Sequence, residues 1–188
     1  GEYRRYKSAA YAVRNYLNLE GSRYETSYPV RMAQRTSELR FVGKIHEYLS
    51  PAGLPCKTFS DYVHHYGYVF ANDEERNRHA ARNIPPLLEM CSQYPGDPGW
   101  TAQLAQEYFG LEERNKVIET CQKGLEEWKA CKDRVTYHPA HVGVLYSYIL
   151  VCLELLGKYE EEEEWLTKAL EDEVIQTADM QPAIAFYC

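Results

Sequence analysis

Hydrophobic residues follow two different rhythms along the chain, and the change comes near Asp73. After that point apolar residues recur every three or four positions, which is typical of amphipathic helices. Before it, runs rich in β-branched and aromatic residues predict strands at 28–32, 39–45 and 62–70. The apolar spacing over 4–17 predicts a helix in this first part. We therefore expect a mainly α protein with a small α/β N-terminal part, divided into domains at 1–72 and 73–188.

The helical part is predicted to hold five helices. The first runs from a cap at Asn72 or Asp73 to about Tyr94, and Pro85 and Pro86 are expected to kink or restart it. A short stretch of proline and glycine then ends it. The remaining helices are predicted at 99–109, 112–128, 141–156 and 159–171.

These last four helices form two pairs that superpose with an offset of 45 residues. The offset carries Tyr108 onto Leu153 and Leu125 onto Leu170, and a glycine separates the helices of each pair. One amphipathic pair cannot bury its apolar face alone, so two stacked hairpins with Leu125 and Leu170 inside are expected. Gly157 begins a segment similar to the second half of a tetratricopeptide repeat, although the offset exceeds that repeat's usual length. An ordinary helical bundle is the alternative.

The amino-acid composition indicates which classes of binding partner to expect. The net charge is −7, and because nucleic acids and anionic membranes attract basic surfaces, neither is expected as a partner. The acidic run Glu160–Glu164 is expected to be a solvated helix face. The 17 tyrosines suit helix-packing surfaces or a groove for a polar ligand, since each combines apolar area with a hydroxyl.

The cysteines and the hydropathy pattern indicate a cytoplasmic protein. None of the six cysteines has the C-x-x-C spacing of a zinc or redox motif, so reduced, mostly buried thiols are expected. The sequence has no run of 18 apolar residues and no signal peptide pattern, so no membrane span is expected.

Candidate chemistry is concentrated in two polar segments of the N-terminal part. The first is Arg-Phe-Val-Gly-Lys-Ile-His-Glu at 40–47, and the second is His-His-Tyr-Gly-Tyr at 64–68. A histidine beside a carboxylate at a strand end suits acid–base or metal chemistry, although hydrogen-bonded structural histidines are the alternative. His64 and His65 are adjacent on a predicted strand, so they should face opposite sides, and only one is expected to point into a site.

In this order, the segments 28–32, 40–47 and 64–68 resemble the end of the catalytic domain of family 2 glycosyltransferases, which have the GT-A fold. The helices that follow are similar to those of a bacterial subgroup with tetratricopeptide-like hairpins after that domain, and 82–89 resembles its linking helix. The resemblance covers nearly the whole chain, with about 30 residues specific to it. It implies transfer of a sugar from a nucleotide sugar with inversion at the anomeric carbon.

The resemblance also assigns roles to residues of the two segments. It makes Glu47 the base that deprotonates the acceptor, and His65 or His64 a ligand of a divalent cation, manganese or magnesium, that neutralises the leaving diphosphate. The residues that would bind the substrate are His46, Tyr66 and Tyr68. The acceptor would be a glycan, a lipid or a protein.

One departure from the family pattern affects activity. The family's nucleotide-binding half, with its Asp-x-Asp metal motif, has no counterpart here, and aspartate never occurs in that spacing in this sequence. Because the chain also begins at Gly1, we expect a piece cut from a longer enzyme, inactive and without a metal on its own. The alternative is a stand-alone tetratricopeptide-like module that binds a peptide or protein.

Overall fold

The computed structural model describes residues 6–50, 55–67, 69–131 and 139–176, and the chain forms two compact units, 1–75 and 76–188. The protein is mainly α, with a small sheet in the first unit. The strands are β1 (Ser8–Tyr16), β2 (Tyr24–Ser27), β3 (Val30–Ala33), β4 (Arg40–Val42), β5 (Tyr48–Ser50) and β6 (Cys56–His65). The helices are α1 (Asp73–Gln93), α2 (Pro98–Gly110), α3 (Arg114–Ala130), α4 (Ala140–Leu155) and α5 (Tyr159–Glu171).

Strand β1 is the centre of the four-stranded sheet. Along one edge it pairs with β6 in parallel, from the Ser8–Cys56 pair to the Asn15–His65 pair. Along the other edge its first half pairs with β3 and its second half with β2, both antiparallel. Strands β4 and β5 form a separate two-stranded antiparallel ribbon.

The helix predicted over residues 4–17 is wrong, because β1 occupies most of that span. Six of the nine residues of β1 are apolar, three of them alanine, and this run satisfies a helical spacing as well as a strand buried on both faces. Pairing on both edges decides between them. Among the described residues before Asp73 there is no helix, so the expected α/β N-terminal part is a sheet.

The three predicted strands are present with shifted ends. Strands β3 and β4 overlap the runs at 28–32 and 39–45. Strand β6 starts at Cys56, earlier than predicted, and ends at His65, because the segment after it leaves the β1 ladder.

Helix α1 begins as predicted at a polar cap and continues through its two prolines. The Asn72 side chain accepts a hydrogen bond from the Glu75 N–H, and the Glu75 carboxylate accepts one from the Ala71 N–H. Pro85 and Pro86 lie inside the helix and do not restart it.

A buried polar contact joins α1 to α2 within the second unit. The Asn83 side chain, 3% exposed, donates to Glu107 Oε1 at 2.7 Å, and His79 lies 3.6 Å from the other oxygen of that carboxylate. Buried polar groups need such partners, so this contact fixes the approach of the two helices.

Helices α2 to α5 form two helix–turn–helix pairs in which neighbouring helices pack together, and α2 also packs against α4. Asp97 caps α2 by accepting from the Gly99 N–H at 2.9 Å. The core is apolar and contains Trp128 and the fully buried Tyr146. The three tryptophans of the chain, Trp100, Trp128 and Trp165, all belong to these helices.

The turns of the two pairs repeat one hydrogen-bonding pattern with the predicted offset. In the first, the Glu113 N–H donates to the Tyr108 carbonyl at 3.0 Å; in the second, the Lys158 N–H donates to the Leu153 carbonyl at 2.9 Å. Both turns place a residue with positive φ one position earlier, which is the Schellman arrangement that ends helices.

Two details of the predicted hairpins are wrong. Gly110 does not take the left-handed conformation expected of it; Glu112 does, at φ 62°, whereas Gly157 behaves as predicted at φ 69°. Leu170 is not inside the second pair, since it is 49% exposed and the neighbouring Ala169 is the buried residue of α5.

Gly124 is equivalent to Ala169 under the same offset. A Cβ atom at Gly124 would overlap the Thr101 side chain of α2, so the close packing of α2 on α3 requires glycine there.

Candidate functional site

The candidate site is an aromatic face of the four-stranded sheet, formed by alternate residues of three neighbouring strands. Because side chains alternate along a strand, the register places one set of polar and aromatic residues on the same side. We call this set the aromatic face: Arg14 and Tyr16 of β1, Tyr24 of β2, Tyr62 and His64 of β6, and Tyr66 just after β6.

His64 is held at the centre of the aromatic face. Its Nδ1 lies 2.7 Å from the Tyr16 hydroxyl, and Tyr16 is only 4% exposed. The Tyr16 ring stacks on Tyr66 at 4.4 Å between centroids, and Tyr62 meets the His64 ring edge-on at 5.3 Å. A histidine whose Nδ1 is engaged presents only its Nε2 to a ligand.

His65 points to the opposite side of the sheet, as predicted. Its Nδ1 lies 2.9 Å from Asn15 Oδ1, and the Asn15 amide in turn donates to the Ser27 hydroxyl at 3.1 Å. The His65 ring also lies against Gly67, where a Cβ atom would have no room.

Glu47 and His46 lie in the turn of the β4–β5 ribbon, and both are exposed. His46 has a φ of 51°, a left-handed conformation that is uncommon outside glycine but that histidine tolerates better than most residues, and it marks a tight turn. No contact in the described part of the chain joins Glu47 to the aromatic face. Tyr68, the last predicted substrate-binding residue, lies outside the described residues.

The two alternative metal ligands, His65 or His64, lie on opposite sides of the sheet. Each has its Nδ1 engaged by a neighbouring side chain. Within the described ranges no three His, Cys, Asp or Glu side chains come together closely enough to hold a metal ion.

Four members of the aromatic face were not predicted from the sequence: Arg14, Tyr16, Tyr24 and Tyr62. Arg14 and Tyr16 were missed because their segment was interpreted as a helix. A signal for Tyr62 was present, since Tyr62, His64 and Tyr66 alternate with a period of two, the spacing of residues that share one strand face.

The helical unit contains a second concavity, of about 460 Å³, between α1, α2 and α3. Cys91 lines it beside Thr101, and burial raises the pKa of the Cys91 thiol to about 11. A thiol of such high pKa is a poor nucleophile at neutral pH, so Cys91 is not a candidate nucleophile.

The two central tyrosines of α4, Tyr146 and Tyr148, differ in exposure. Tyr146 is fully buried and donates to Asp172 Oδ2 at 2.9 Å, so it lines no groove. Tyr148 is partly exposed and, with Phe109 and Val151, lines a small apolar depression of about 180 Å³.

Comparison with known proteins adds no family. Neither a scan against models of protein families nor a search of curated proteins found a match to this chain. In the part of the chain that the structure describes, no helix has the length and apolarity needed to cross a membrane.

Proposed function

We propose that this chain is the acceptor-side part of an inverting family 2 glycosyltransferase, followed by tetratricopeptide-like helical hairpins. The observation that carries the proposal is the ordered set of segments at 28–32, 40–47 and 64–68, each of which resembles its counterpart in that family. The fold is compatible with this role, because the second and third segments lie on exposed positions of the first unit.

Glu47 is the base in this proposal. A base must reach the hydroxyl of an incoming acceptor, and the Glu47 carboxylate is exposed at a ribbon turn where a large acceptor has access. His46 holds the turn in its left-handed conformation and adjoins the same acceptor.

The donor and most of the cation's ligands are assigned to residues that this sequence does not contain, while His65 or His64 of this chain completes the metal shell. In the proposal a nucleotide-binding half with an Asp-x-Asp motif binds the nucleotide sugar and manganese or magnesium, which stabilises the leaving diphosphate. The chain alone should then bind no nucleotide sugar tightly. The proposed location is the cytoplasm, where thiols such as the unpaired Cys56, Cys121 and Cys152 stay reduced.

Two measurements test the enzyme proposal. The reading frame upstream of Glu2 should encode an Asp-x-Asp after a hydrophobic strand. Calorimetry of the chain with nucleotide diphosphate sugars and manganese should show no micromolar binding. A frame without that motif, or micromolar binding to this chain, contradicts the proposal.

The role of Glu47 has its own test in the longer enzyme. Glu47→Gln keeps the shape and removes the basicity, so kcat should fall by roughly 10²–10⁴-fold with donor binding retained. Glu38→Gln, which changes an exposed carboxylate just before β4, is the matched control and should leave kcat unchanged. An unchanged kcat in Glu47→Gln would give Glu47 a structural role only.

A second candidate function is a stand-alone module that binds a peptide or protein. It is favoured by one observation: the two helix pairs repeat the same turn at an offset of 45 residues, as expected of stacked repeat units. A start codon immediately before Glu2 in the gene would support this function over the enzyme.

A further inference from the structure

Arg14 is the most unusual residue of the aromatic face, because its charge is held by rings alone. Its guanidinium carbon lies 3.5 Å from the centroid of the Tyr62 ring and 4.8 Å from that of Tyr24. Its side chain makes no hydrogen bond or ion pair within the described part of the chain. Ring contacts hold the plane of a guanidinium and leave the N–H groups along its edge available to a ligand.

The neighbours of Arg14 on this face are also suited to a ligand. Its register partner on β6 is His64, whose Nδ1 is engaged by Tyr16 and whose Nε2 has no partner among the described residues. Its register partner on β2 is Thr26, an uncharged residue. Neither register partner of Arg14 is a carboxylate, so neither neutralises its charge.

Three of the surrounding tyrosines are open to solvent. Tyr24, Tyr62 and Tyr66 are 44–45% exposed, although each contacts another ring of the face, Tyr66 by stacking and the other two edge-on. Large aromatic surfaces that remain exposed beside convergent polar donors are typical of a ligand site. The flat tyrosine rings suit a ligand that itself has a ring, and their hydroxyls suit a ligand with hydroxyl groups. The Arg14 cation, which has no carboxylate partner here, suits a ligand with one negative charge.

We propose that the aromatic face binds an anionic sugar, with Arg14 donating to its carboxylate or phosphate and the tyrosines packing against its ring. A planar guanidinium offers two parallel donors, which both of these anions accept. His64 Nε2 would contact a hydroxyl of the same sugar. The identification of this sugar as the acceptor rests on the proposed glycosyltransferase; the binding itself does not.

An NMR titration of the isotope-labelled chain tests this proposal. The probes are glucuronic acid, glucose 6-phosphate, glucose and inorganic phosphate. We expect at least one anionic sugar to shift signals of Arg14, Tyr62 and His64, and to bind at least about tenfold more tightly than glucose or phosphate. Tighter binding of glucuronic acid would identify the preferred charged group as a carboxylate, and tighter binding of glucose 6-phosphate would identify it as a phosphate.

Matched variants assign the binding to Arg14. Arg14→Gln should weaken the binding of the anionic sugar by about tenfold or more. Arg35→Gln, which removes the same charge from the exposed loop after β3, should leave that binding unchanged. Arg14→Lys keeps the charge without the planar pair of donors and should bind with intermediate affinity. If Arg14→Gln does not fold, as judged by circular dichroism, Arg14→Lys decides.

The proposal is overturned if neither anionic sugar binds, if inorganic phosphate binds as tightly as the sugars, or if the Arg14 variants bind like the unchanged chain. Its failure is distinct from that of the glycosyltransferase proposal. A reading frame without an upstream Asp-x-Asp would contradict the glycosyltransferase proposal but would not affect the result of the titration. A failed titration would contradict sugar binding but would not affect the glycosyltransferase proposal.

Discussion

Glu112 and Gly157 occupy the same backbone position in successive helix pairs, with φ angles of 62° and 69°. Only glycine adopts this left-handed conformation without steric cost, so the first turn is strained where the second is not. Glu112→Gly should therefore raise the free energy of unfolding by about 0.5–1 kcal/mol, and Gly157→Ala should lower it by about 1 kcal/mol. Urea unfolding followed by tryptophan fluorescence measures both. If neither substitution changes the free energy of unfolding, neighbouring residues relieve the backbone strain at these turns.

The apolar cores of the two pairs should respond unequally to truncation. Leu125 is 2% exposed, so Leu125→Ala should lower the free energy of unfolding by about 2–5 kcal/mol. Leu170 is about half exposed, so Leu170→Ala should lower it by less than about 1 kcal/mol. Glu162→Ala should change stability little, because the Glu162 charge is already disfavoured: partial desolvation, and then the nearby Glu154 carboxylate, raise its pKa. Thermal unfolding ranks the three variants. A large loss at Leu170 would mean that α5 packs differently.

Tyr146 should contribute through its hydroxyl as well as its ring. It donates to Asp172, whose side chain is 8% exposed, so Tyr146→Phe leaves a nearly buried carboxylate without this donor. We expect a loss of about 1.5–3 kcal/mol in the free energy of unfolding. Tyr159→Phe, at an exposed position, is the control and should change it by less than about 0.5 kcal/mol. Equal stability of the two variants would assign Tyr146 to packing alone.

The cysteines should differ in reactivity with pH. Burial raises the pKa of Cys91 and of Cys152 to about 11, so roughly 0.1% of either thiol is ionised at pH 8. Exposed Cys56 should be alkylated by iodoacetamide first. Because the ionised fraction rises about tenfold per pH unit below the pKa, alkylation of Cys91 should accelerate about 100-fold between pH 8 and pH 10. Peptide mass spectrometry reports each site; labelling of Cys91 at the rate of Cys56 at pH 8 would contradict this.

The helices of the second unit were predicted from the sequence far more accurately than the sheet of the first. Helix starts and ends are encoded locally, by caps such as Asn72 and Asp97 and by breaks such as Gly157, so the periodic pattern was sufficient. The exposure of Leu170 was not predictable, because Ala169 and Leu170 fit the same apolar stripe and only packing chooses between them.

The aromatic face depended on contacts distant in sequence. Strand β1 carries Arg14 and Tyr16, yet its identity as a strand comes from pairing with β6, more than 40 residues later. His64 and Tyr66 were singled out by the local motif, whereas their partners across the sheet were hidden by the helix interpretation. Only two of the six members of the face, His64 and Tyr66, were therefore visible in the sequence.

The distribution of tryptophan gives the two units separate optical signals. Trp100, Trp128 and Trp165 all belong to the helices of residues 76–188, and residues 1–75 contain tyrosine but no tryptophan. Emission excited at the red edge of the tyrosine absorption band therefore reports the helical unit alone, while near-ultraviolet circular dichroism also records the tyrosines of the sheet. A chain with two units need not melt in one step, and divergence between the two melting curves would measure how independently they unfold.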